Sequence, residues 1–274
     1  MKHRKIKLDF TTPQVMAILN VTPDSFYGGC RSFNDEEIEN RVLKIIAEGA
    51  SIIDIGGYSS RPNADDIPLN EEWDRVSRAL KIVRTLAPEM TVSIDTFRAE
   101  VAQRAICEYG EVIINDISAG EIDSRIIEVA AQYDVPYIAM HMRGTPQTMQ
   151  SHCDYSNVVE EVIAYFIAKC KELETAGVRQ IIVDPGFGFS KGTEDNFRLL
   201  DGLHALTKLG YPILSGISRK SMIYKTLDSS PVESLTGTIA LNWESLRQGA
   251  SIIRVHDVKE GVEVVKLYNA IKKS

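Results

Sequence analysis

Three polar residues with the chemistry for binding a flat ring each follow an apolar run of the chain. Asp95 comes after TVSI, Asn115 after EVII and Asp184 after QIIV. A carboxylate accepts two parallel hydrogen bonds, so such side chains recognise a heterocycle that carries amino and ring N–H groups. A single buried Asp or Asn is as often structural. Three at equivalent positions indicate a binding site.

Basic residues suited to an anion gather towards the C-terminus. The segment SGISRKS ends in Arg219, Lys220 and Ser221, where an apolar run gives way to a helical pattern. N–H groups at a helix start, with adjacent cations, favour a carboxylate or phosphate. Arg254 and His256 are two residues apart and so share one face of a strand. That pair suits a polyanionic leaving group; the alternatives are solvated loop cations and a structural histidine.

Two further polar residues lie in or beside long loops. Arg61 is a cation within YSSRP, and Asn20 stands directly before VTPDS. The side-chain oxygen of Asn20 is a hard ligand that suits Mg²⁺ together with phosphate oxygens and water. Long loops in compact domains are usually lids or binding loops, so residues 20–35 and 56–70 are expected to overhang the site.

Eight apolar runs define the elements that must position these residues. Continuous β-branched runs of this length are typical of strands covered on both faces, as in parallel sheets. The runs alternate with helix-period stretches, which predicts an α/β fold, a single (β/α)8 TIM barrel whose functional groups collect at the C-terminal strand ends. The polar residues that follow the eight runs are Asn20, Asp54, Asp95, Asn115, His141, Asp184, Ser215 and His256.

Glycines and helical stripes support the same fold. The string GASII occurs at 49–53 and 249–253, opening the second and eighth predicted strands. Glycine there tolerates the left-handed conformation that often ends a helix. Two apolar stripes at helical spacing are predicted to face the barrel. One comprises Ile38, Val42, Ile45 and Ile46, and the other Val159, Ile163, Phe166, Ile167 and Cys170.

The composition fits one globular domain. The 274 residues suffice for one barrel, and hydrophobic and charged fractions of 44% and 25% are ordinary. A net charge of −7 argues against bulk nucleic-acid binding. No long apolar segment predicts a membrane span, and four scattered cysteines favour a reduced setting. We predict one domain over residues 1–274, in the cytoplasm, without nucleic-acid or membrane partners.

A set of short strings occurs in one order between residues 15 and 258: ILNVTPDSF, IDIGG with SSRP, SIDT, INDIS, MHM, DPGFGFSK, SRKS and RVHDV. Together they resemble the dihydropteroate synthases, pterin-binding enzymes of the folate pathway. The resemblance implies a transferase that joins p-aminobenzoate to 6-hydroxymethyl-7,8-dihydropterin diphosphate, giving 7,8-dihydropteroate and releasing diphosphate. It also implies Mg²⁺ as cofactor, a homodimer and a sulfonamide target.

The resemblance implies roles for individual residues. The pterin-binding set is Asp95, Asn115, Asp184 and Lys220, with Ile117, Met140 and Gly216 lining the slot. The diphosphate-binding set is Asn20, Arg61, Arg254 and His256, with Asn20 also the metal ligand. The p-aminobenzoate set is Ser60, Arg61, Pro62, Phe189, Lys220 and Ser221. The residues expected to take part in catalysis are Asp95, Asp184, Lys220, Arg254 and His256.

The resemblance further implies an SN1-like path, in which diphosphate leaves before the aniline nitrogen attacks. Such a path needs carboxylates beside the pterin cation and positive charge beside the leaving group. We therefore expect Asp95 and Asp184 to face Arg254 and His256 across one cavity. A large separation between Asp184 and Arg254 would contradict this hypothesis.

Two positions depart from the common family pattern, and two other functions compete. Tyr58 stands where Glu is frequent, and Ser60 where Thr is frequent.

A methyltransferase passing a methyl group from a reduced folate to a corrinoid would use a similar barrel, but it needs no diphosphate clamp, and the basic residues above argue against it. A non-catalytic pterin-binding paralogue would be expected to lose groups that this chain retains.

Overall fold

Strands and helices alternate along the chain in the computed structural model, which describes residue 6 and residues 8–22, 35–59 and 66–272. The strands are short and their central residues are buried, in keeping with the apolar runs of the sequence. They are β1 (Gln14–Asn20), β2 (Ile52–Gly56), β3 (Thr91–Asp95), β4 (Ile113–Asp116), β5 (Tyr137–Met140), β6 (Ile181–Asp184), β7 (Leu214–Ser215) and β8 (Ile252–Val255).

The eight strands form one parallel sheet that closes on itself. Their order is β6-β5-β4-β3-β2-β1-β8-β7. A parallel bridge between Val183 and Ile213 joins the two edges, next to a hydrogen bond of 2.9 Å from Val183 N to Pro212 O. The (β/α)8 TIM barrel expected from the sequence is therefore confirmed.

Helices follow the strands and cover the outside of the barrel. They are α1 (Asp35–Glu48), α2 (Leu69–Leu86), α3 (Ala99–Tyr109), α4 (Arg125–Tyr133), α5 (Val158–Thr175), α6 (Thr193–Asp201), α7 (Ser221–Thr226), α8 (Leu235–Arg247) and α9 (Val258–Lys272). Two 3₁₀ helices span Met149–Ser151 and Leu203–Leu209. None of the described helices combines the length and apolar character that crossing a lipid bilayer requires.

The helical stripes hold with one exception. The α1 stripe faces the barrel as expected, and in α5 the residues Phe166 and Cys170 are buried, with Val159 and Ile163 partly buried beside them. Ile167, however, is 59% exposed, so its predicted inward orientation is wrong. A helix turns about 100° per residue, which takes the residue after Phe166 out of the buried face.

The repeated GASII string serves the same purpose at both positions. Gly49 and Gly249 have φ of 89° and 103°, a region that suits glycine. After each turn, the serine before the strand donates a hydrogen bond to the neighbouring strand. These bonds run from Ser51 N to Val15 O at 2.9 Å and from Ser251 N to Ile213 O at 2.8 Å. The shared string reflects equivalent turns at two barrel strands.

Apolar side chains fill the interior of the barrel below the strand ends. All of them are buried, and they form a cluster separate from the one between sheet and helices. We call this cluster the barrel floor: Met16, Ile52, Ile113, Ile138, Ile182, Leu214 and Ile252.

Candidate active site

Each even-numbered strand carries a polar residue two positions after its isoleucine in the barrel floor. Side chains two positions apart share a strand face, so these residues lie inside the barrel directly above the floor. In TIM barrels, one interior layer comes from alternate strands. We call this set the polar layer: Asp54 of β2, Asn115 of β4, Asp184 of β6 and Arg254 of β8.

Arg254 is bound by two carboxylates. Its Nε donates to Asp54 Oδ2 at 2.7 Å and its Nη2 to Asp95 Oδ2 at 2.8 Å. Asp54 is fully buried, whereas the side chain of Asp95, at the end of β3, is 18% exposed. The arrangement differs from the expected one, because Asp95 and Arg254 are in direct contact rather than on opposite sides of a cavity.

Asp184 and Arg254 are close neighbours, as the hypothesis requires. A methyl group at Gly216 would lie 4.0 Å from Asp184 Oδ2 and 3.9 Å from Arg254 Cβ. Asp184 Oδ1 accepts a hydrogen bond of 2.8 Å from Gly186 N. Glycine at position 216 therefore leaves open the space beside both charged side chains.

Burial shifts the pKa values of the ionisable groups around this space. It raises the pKa of Asp184 above its ordinary value, and the Lys220 ammonium opposes the rise. Burial also raises the pKa of Asp95, with Arg254 opposing the shift and Asp54 adding to it. Burial lowers the pKa of Lys220 to about 8. The carboxylates and the ammonium thus depend on one another for their charge.

Lys220 and Phe189 meet at the side of the polar layer. The Lys220 ammonium donates to the carbonyl oxygen of Phe187 and lies 4.6 Å from the centroid of the Phe189 ring. Ser221 follows directly, half-buried at the start of α7. This part of the expected p-aminobenzoate set is therefore together. The rest of that set lies outside the described residues: Ser60, Arg61 and Pro62.

Arg219 has a different role from the one expected. Its Nε and Nη2 donate to the two carboxylate oxygens of Asp257 at 2.8 and 2.6 Å. This bidentate pair ties the loop after β7 to the loop after β8. Of the two basic residues in SRKS, Lys220 is the one that approaches Asp184.

His256 is held in place and is neutral near pH 7. Its Nδ1 lies 3.1 Å from Ser218 Oγ, and its carbonyl oxygen accepts from Arg41 Nη2 at 2.7 Å. Burial, with the positive charge of Arg254, lowers the pKa of His256 to about 4. Arg254 therefore supplies the positive charge of this pair, and His256 supplies a hydrogen-bonding imidazole.

Asn20 ends β1 beside a glycine. A methyl group at Gly56 would lie 3.0 Å from Asn20 Oδ1 and 3.7 Å from Asp95 Cβ, so the oxygen points towards the site. Within the described ranges, no three His, Cys, Asp or Glu side chains form a metal cluster. An ion at Asn20 would take its other ligands from substrate and water, which is the usual habit of Mg²⁺.

An apolar wall lines the mouth of the barrel. Ile117 and Met140, both expected to line the pterin slot, are 6% and 3% exposed. Such a wall suits the faces of a flat ring, while the polar layer suits its edge. The buried members of the wall are Phe97, Ile117, Met140, Met142 and Met149, with Tyr58 and Phe189 packing against them.

Tyr58, which stands where the family frequently has glutamate, packs against Arg98. The Arg98 guanidinium lies 5.3 Å from the Tyr58 ring centroid and pairs with Asp66 at 3.1 Å and with the buried Glu72 at 3.0 Å. The Tyr58 hydroxyl in turn lies 3.2 Å from Asp66 Oδ1. Asp66 and Glu72 therefore provide the negative charge next to Arg98 and Tyr58.

Lys191 is a residue of this region that the sequence-based site set missed. It is 4% exposed, and its Nζ lies 2.9 Å from His141 Nδ1, 3.1 Å from Gly186 O and 3.0 Å from Phe189 O. Burial lowers the pKa of Lys191 to about 7 and that of His141 to about 2. Lys191 thus fixes the loop that carries Phe189 to the end of β5.

Comparisons with known proteins agree on one family. The model of the pterin-binding enzymes matches residues 16–256. A dihydropteroate synthase of Haemophilus influenzae is 39% identical over 265 residues, 96% of this chain and 95% of that protein. The structure of Yersinia pestis dihydropteroate synthase with a sulfonamide drug complex has a TM-score of 0.91 at 36% identity, covering 100% of this chain and 99% of that one.

A second solved structure contains a pterin compound. Dihydropteroate synthase from Xanthomonas albilineans, in complex with 7,8-dihydropteroate, has a TM-score of 0.86 at 33% identity and covers 97% of this chain and 96% of that one. Fold, matched length and the grouped strand-end residues agree with these relatives. The chain belongs to the pterin-binding enzymes, among the dihydropteroate synthases.

Proposed function

We infer that this chain makes 7,8-dihydropteroate from 6-hydroxymethyl-7,8-dihydropterin diphosphate and p-aminobenzoate. The observation that carries the inference is the polar layer above the barrel floor, with Lys220 and Phe189 at its side. It combines acceptors for a ring edge with positive charge for an anion. The Xanthomonas relative was solved with 7,8-dihydropteroate, the product of this reaction.

The pterin is proposed to lie with its edge against the polar layer and its faces against the apolar wall. Carboxylates of Asp95 and Asp184 and the amide of Asn115 would accept from its amino and ring N–H groups. Lys220 would donate to a ring acceptor. The residues proposed to line the slot are Ile117, Met140 and Gly216.

The diphosphate is proposed to bind on the β1 and β8 side. Arg254 has N–H groups beyond the two that its carboxylate partners occupy, and the imidazole of His256 lies on the same strand end. Asn20 would hold Mg²⁺, which neutralises negative charge on the leaving group when bound. Arg61 is proposed as a further diphosphate ligand on the basis of the family pattern alone.

p-Aminobenzoate is proposed to lie against Phe189, with its carboxylate near Lys220 and Ser221. Ser60, Arg61 and Pro62 complete the proposed set from the family pattern.

In the SN1-like path, the bond between the pterin methylene carbon and the diphosphate oxygen breaks, and its electron pair leaves with the diphosphate. The aniline nitrogen lone pair then forms the new C–N bond, and the nitrogen loses a proton.

Carboxylates beside the ring stabilise the cation formed in the first of these steps. Asp95 and Asp184 are proposed for this role, because Asp184 borders the space next to Gly216 and Asp95 binds Arg254, whose Cβ borders the same space. A dry apolar wall protects such a cation from capture by water. The enzyme is a transferase, and we assign it to the class that transfers alkyl or aryl groups other than methyl.

One assay separates this function from its competitors. The protein is incubated with the pterin diphosphate, p-aminobenzoate and Mg²⁺, and dihydropteroate and diphosphate are measured together. Equal amounts of both products are expected. A corrinoid methyltransferase would instead methylate free cobalamin from a reduced folate without Mg²⁺, and a non-catalytic paralogue would bind pterin but release no diphosphate. Either result would contradict the proposal.

Three further properties are carried over as predictions. We propose a single domain over residues 1–274, a cytoplasmic location and a homodimer, the last by analogy with the family only. Sedimentation velocity at micromolar concentration tests the dimer. A single species at the mass of one chain, 30.5 kDa, would contradict it.

A further inference from the structure

Asp54 connects two members of the polar layer across the barrel. Its Oδ2 accepts from Arg254 Nε of β8 at 2.7 Å and from Asn115 Nδ2 of β4 at 3.1 Å. β4 and β8 lie two strands away from β2 on either side. A single carboxylate oxygen at the base of the site therefore holds two side chains whose outer ends face the ligand space.

The contact with Asp54 decides how the Asn115 amide is turned. An ionised carboxylate only accepts hydrogen bonds, so Asn115 must direct its NH₂ group at Asp54. The amide oxygen of Asn115 then points away from Asp54. In this orientation the site offers an acceptor at position 115, which matches a ring edge that carries N–H groups.

The same contact fixes the guanidinium of Arg254. A guanidinium has five N–H donors in a planar fork. Asp54 takes the Nε–H and Asp95 takes one N–H of Nη2, so the remaining donors keep a defined direction. Burial alone would lower the pKa of Arg254, but the carboxylates of Asp54 and Asp95 raise it. The positive charge stays in place before any anion arrives.

Stability alone is a poor explanation for a carboxylate at this position. Asp54 is fully buried, and its Oδ1 receives no hydrogen bond from the described residues. Buried ion pairs are commonly no more stabilising than apolar residues of similar volume, and an unsatisfied buried oxygen adds a cost. A residue selected for packing would continue the barrel floor upward from Ile52.

We propose that Asp54 is a positioning residue that sets the amide orientation of Asn115 and the direction of Arg254, and thereby selects a ring edge with N–H donors. The proposal rests on the proposed function for the identity of the ligand. It predicts that Asp54 acts on pterin affinity through Asn115, without touching the pterin itself.

The first test is Asp54→Asn, which keeps the shape but removes the charge and adds a donor. The new amide at position 54 can donate to Asn115, so the Asn115 amide is no longer held in one orientation. Binding of 6-hydroxymethyl-7,8-dihydropterin, without diphosphate, is measured by titration calorimetry. We expect affinity to fall about tenfold or more, the size of a charge-assisted hydrogen bond lost or reversed. Unchanged pterin affinity in a folded Asp54→Asn protein would overturn the proposal.

A second variant tests the mechanism through rescue. In the double variant Asp54→Asn with Asn115→Asp, the new carboxylate at position 115 must accept from the new amide at position 54. An acceptor is thereby restored towards the ligand, and we expect pterin affinity to recover most of the tenfold loss. A double variant that binds no better than Asp54→Asn would contradict the idea that amide orientation is what Asp54 controls.

Asp116 provides a matched control. It is also a fully buried carboxylate, but it accepts from Ser118 N and Oγ, Gly120 N and Tyr137 Oη at 2.7–2.8 Å, outside the polar layer. Asp116→Asn is expected to lower the melting temperature and to leave pterin affinity within about twofold. An equal loss of affinity in both variants would assign the effect of Asp54 to general destabilisation.

The binding readout separates this proposal from the proposed function. If the wild-type protein binds pterin but forms no dihydropteroate, the synthase function fails while the Asp54 comparison is still decided by calorimetry. If the wild-type protein turns over normally and Asp54→Asn binds pterin as the wild type does, the function stands and the positioning role is wrong.

Discussion

Arg254 and Asp95 form an ion pair of 2.8 Å that joins the C-terminal ends of β8 and β3. Because Asp54 holds the same guanidinium at 2.7 Å, one cation is shared between two carboxylates. The proposed diphosphate ligand and the proposed cation stabiliser are thus in contact before substrate binds. Charges that are already oriented need little rearrangement during the reaction, which is how electrostatic stabilisation becomes effective.

Asp95→Asn is expected to cut kcat/KM by about 100-fold or more, because the amide keeps the shape but loses the charge that pairs with Arg254 and is proposed to stabilise the pterin cation. The free energy of unfolding should change far less, since burial of the Asp95 carboxylate opposes its attraction to Arg254 and Arg254 keeps its pair with Asp54. Steady-state kinetics and urea unfolding measure the two effects. A loss of stability that accounts for the whole loss of activity would make Asp95 a structural residue.

Asp123→Asn is the control for this experiment. Asp123 accepts from Ala99 N at 3.0 Å at the start of α3 and pairs with Arg125 at 2.8 Å, outside the polar layer. We expect a modest loss of stability and an unchanged kcat/KM.

Lys220 should set an alkaline limit on activity. Its pKa is lowered to about 8 by burial, so its ammonium is charged below that pH and loses its proton as the pH rises through 8. We expect kcat/KM to fall by about tenfold per pH unit above this pKa. Lys220→Arg should lower activity at pH 7 but flatten the alkaline limb, because a guanidinium remains charged. An alkaline limb that is identical in the variant would assign the titration to another group.

Removal of divalent metal is expected to stop turnover, and Asn20→Ala should raise the Mg²⁺ concentration for half-maximal rate by about tenfold or more. The measurement is the initial rate across a Mg²⁺ titration after chelation. Asn157→Ala is the control, since Asn157 caps α5 by accepting from Glu160 N at 3.3 Å. Equal Mg²⁺ requirements in Asn20→Ala and wild type would remove Asn20 as the ligand.

His141 should make the fold sensitive to acid. Burial lowers its pKa to about 2 in the folded state, whereas the unfolded chain takes up a proton near pH 6.5. Stability is therefore full above pH 6.5 and is lost as the pH falls below it, by about 2 kcal/mol between pH 7 and pH 5 for one such group.

His141→Asn replaces the ring with a neutral group whose oxygen can accept from Lys191, so the slope of unfolding free energy against pH should decrease. Denaturant unfolding at several pH values gives that slope. His204 is exposed, and His204→Gln is the matched control substitution. A slope unchanged by His141→Asn would mean that other groups govern acid unfolding.

The strands and most strand-end residues could be predicted from the sequence, because each buried strand is an apolar run that ends at a polar residue. This pattern identifies Asp95, Asn115 and Asp184. The same pattern marks Asp54 as a strand-end residue but assigns it no role in the site. The signal was present, since isoleucine two positions before Asp54, Asn115, Asp184 and Arg254 marks four equivalent strand positions.

Contacts between distant side chains could not be read from the sequence. The Arg219–Asp257 pair and the Lys191–His141 contact depend on where loops after different strands meet in space. The neutral state of His256 depends on burial and on the charge of Arg254. Each of these is a tertiary effect, absent from local spacing.

The barrel closes through its shortest strand, and this has a mechanical consequence. β7 has two strand residues, and it pairs with β6 through one isolated bridge. Few main-chain hydrogen bonds therefore hold β6 and β7 together. Phe189 lies in the loop after β6, and Lys220 lies in the loop after β7. Amide protons between β6 and β7 should exchange with solvent sooner than those of β1 and β2. Any local opening of the barrel would thus begin next to the proposed p-aminobenzoate site.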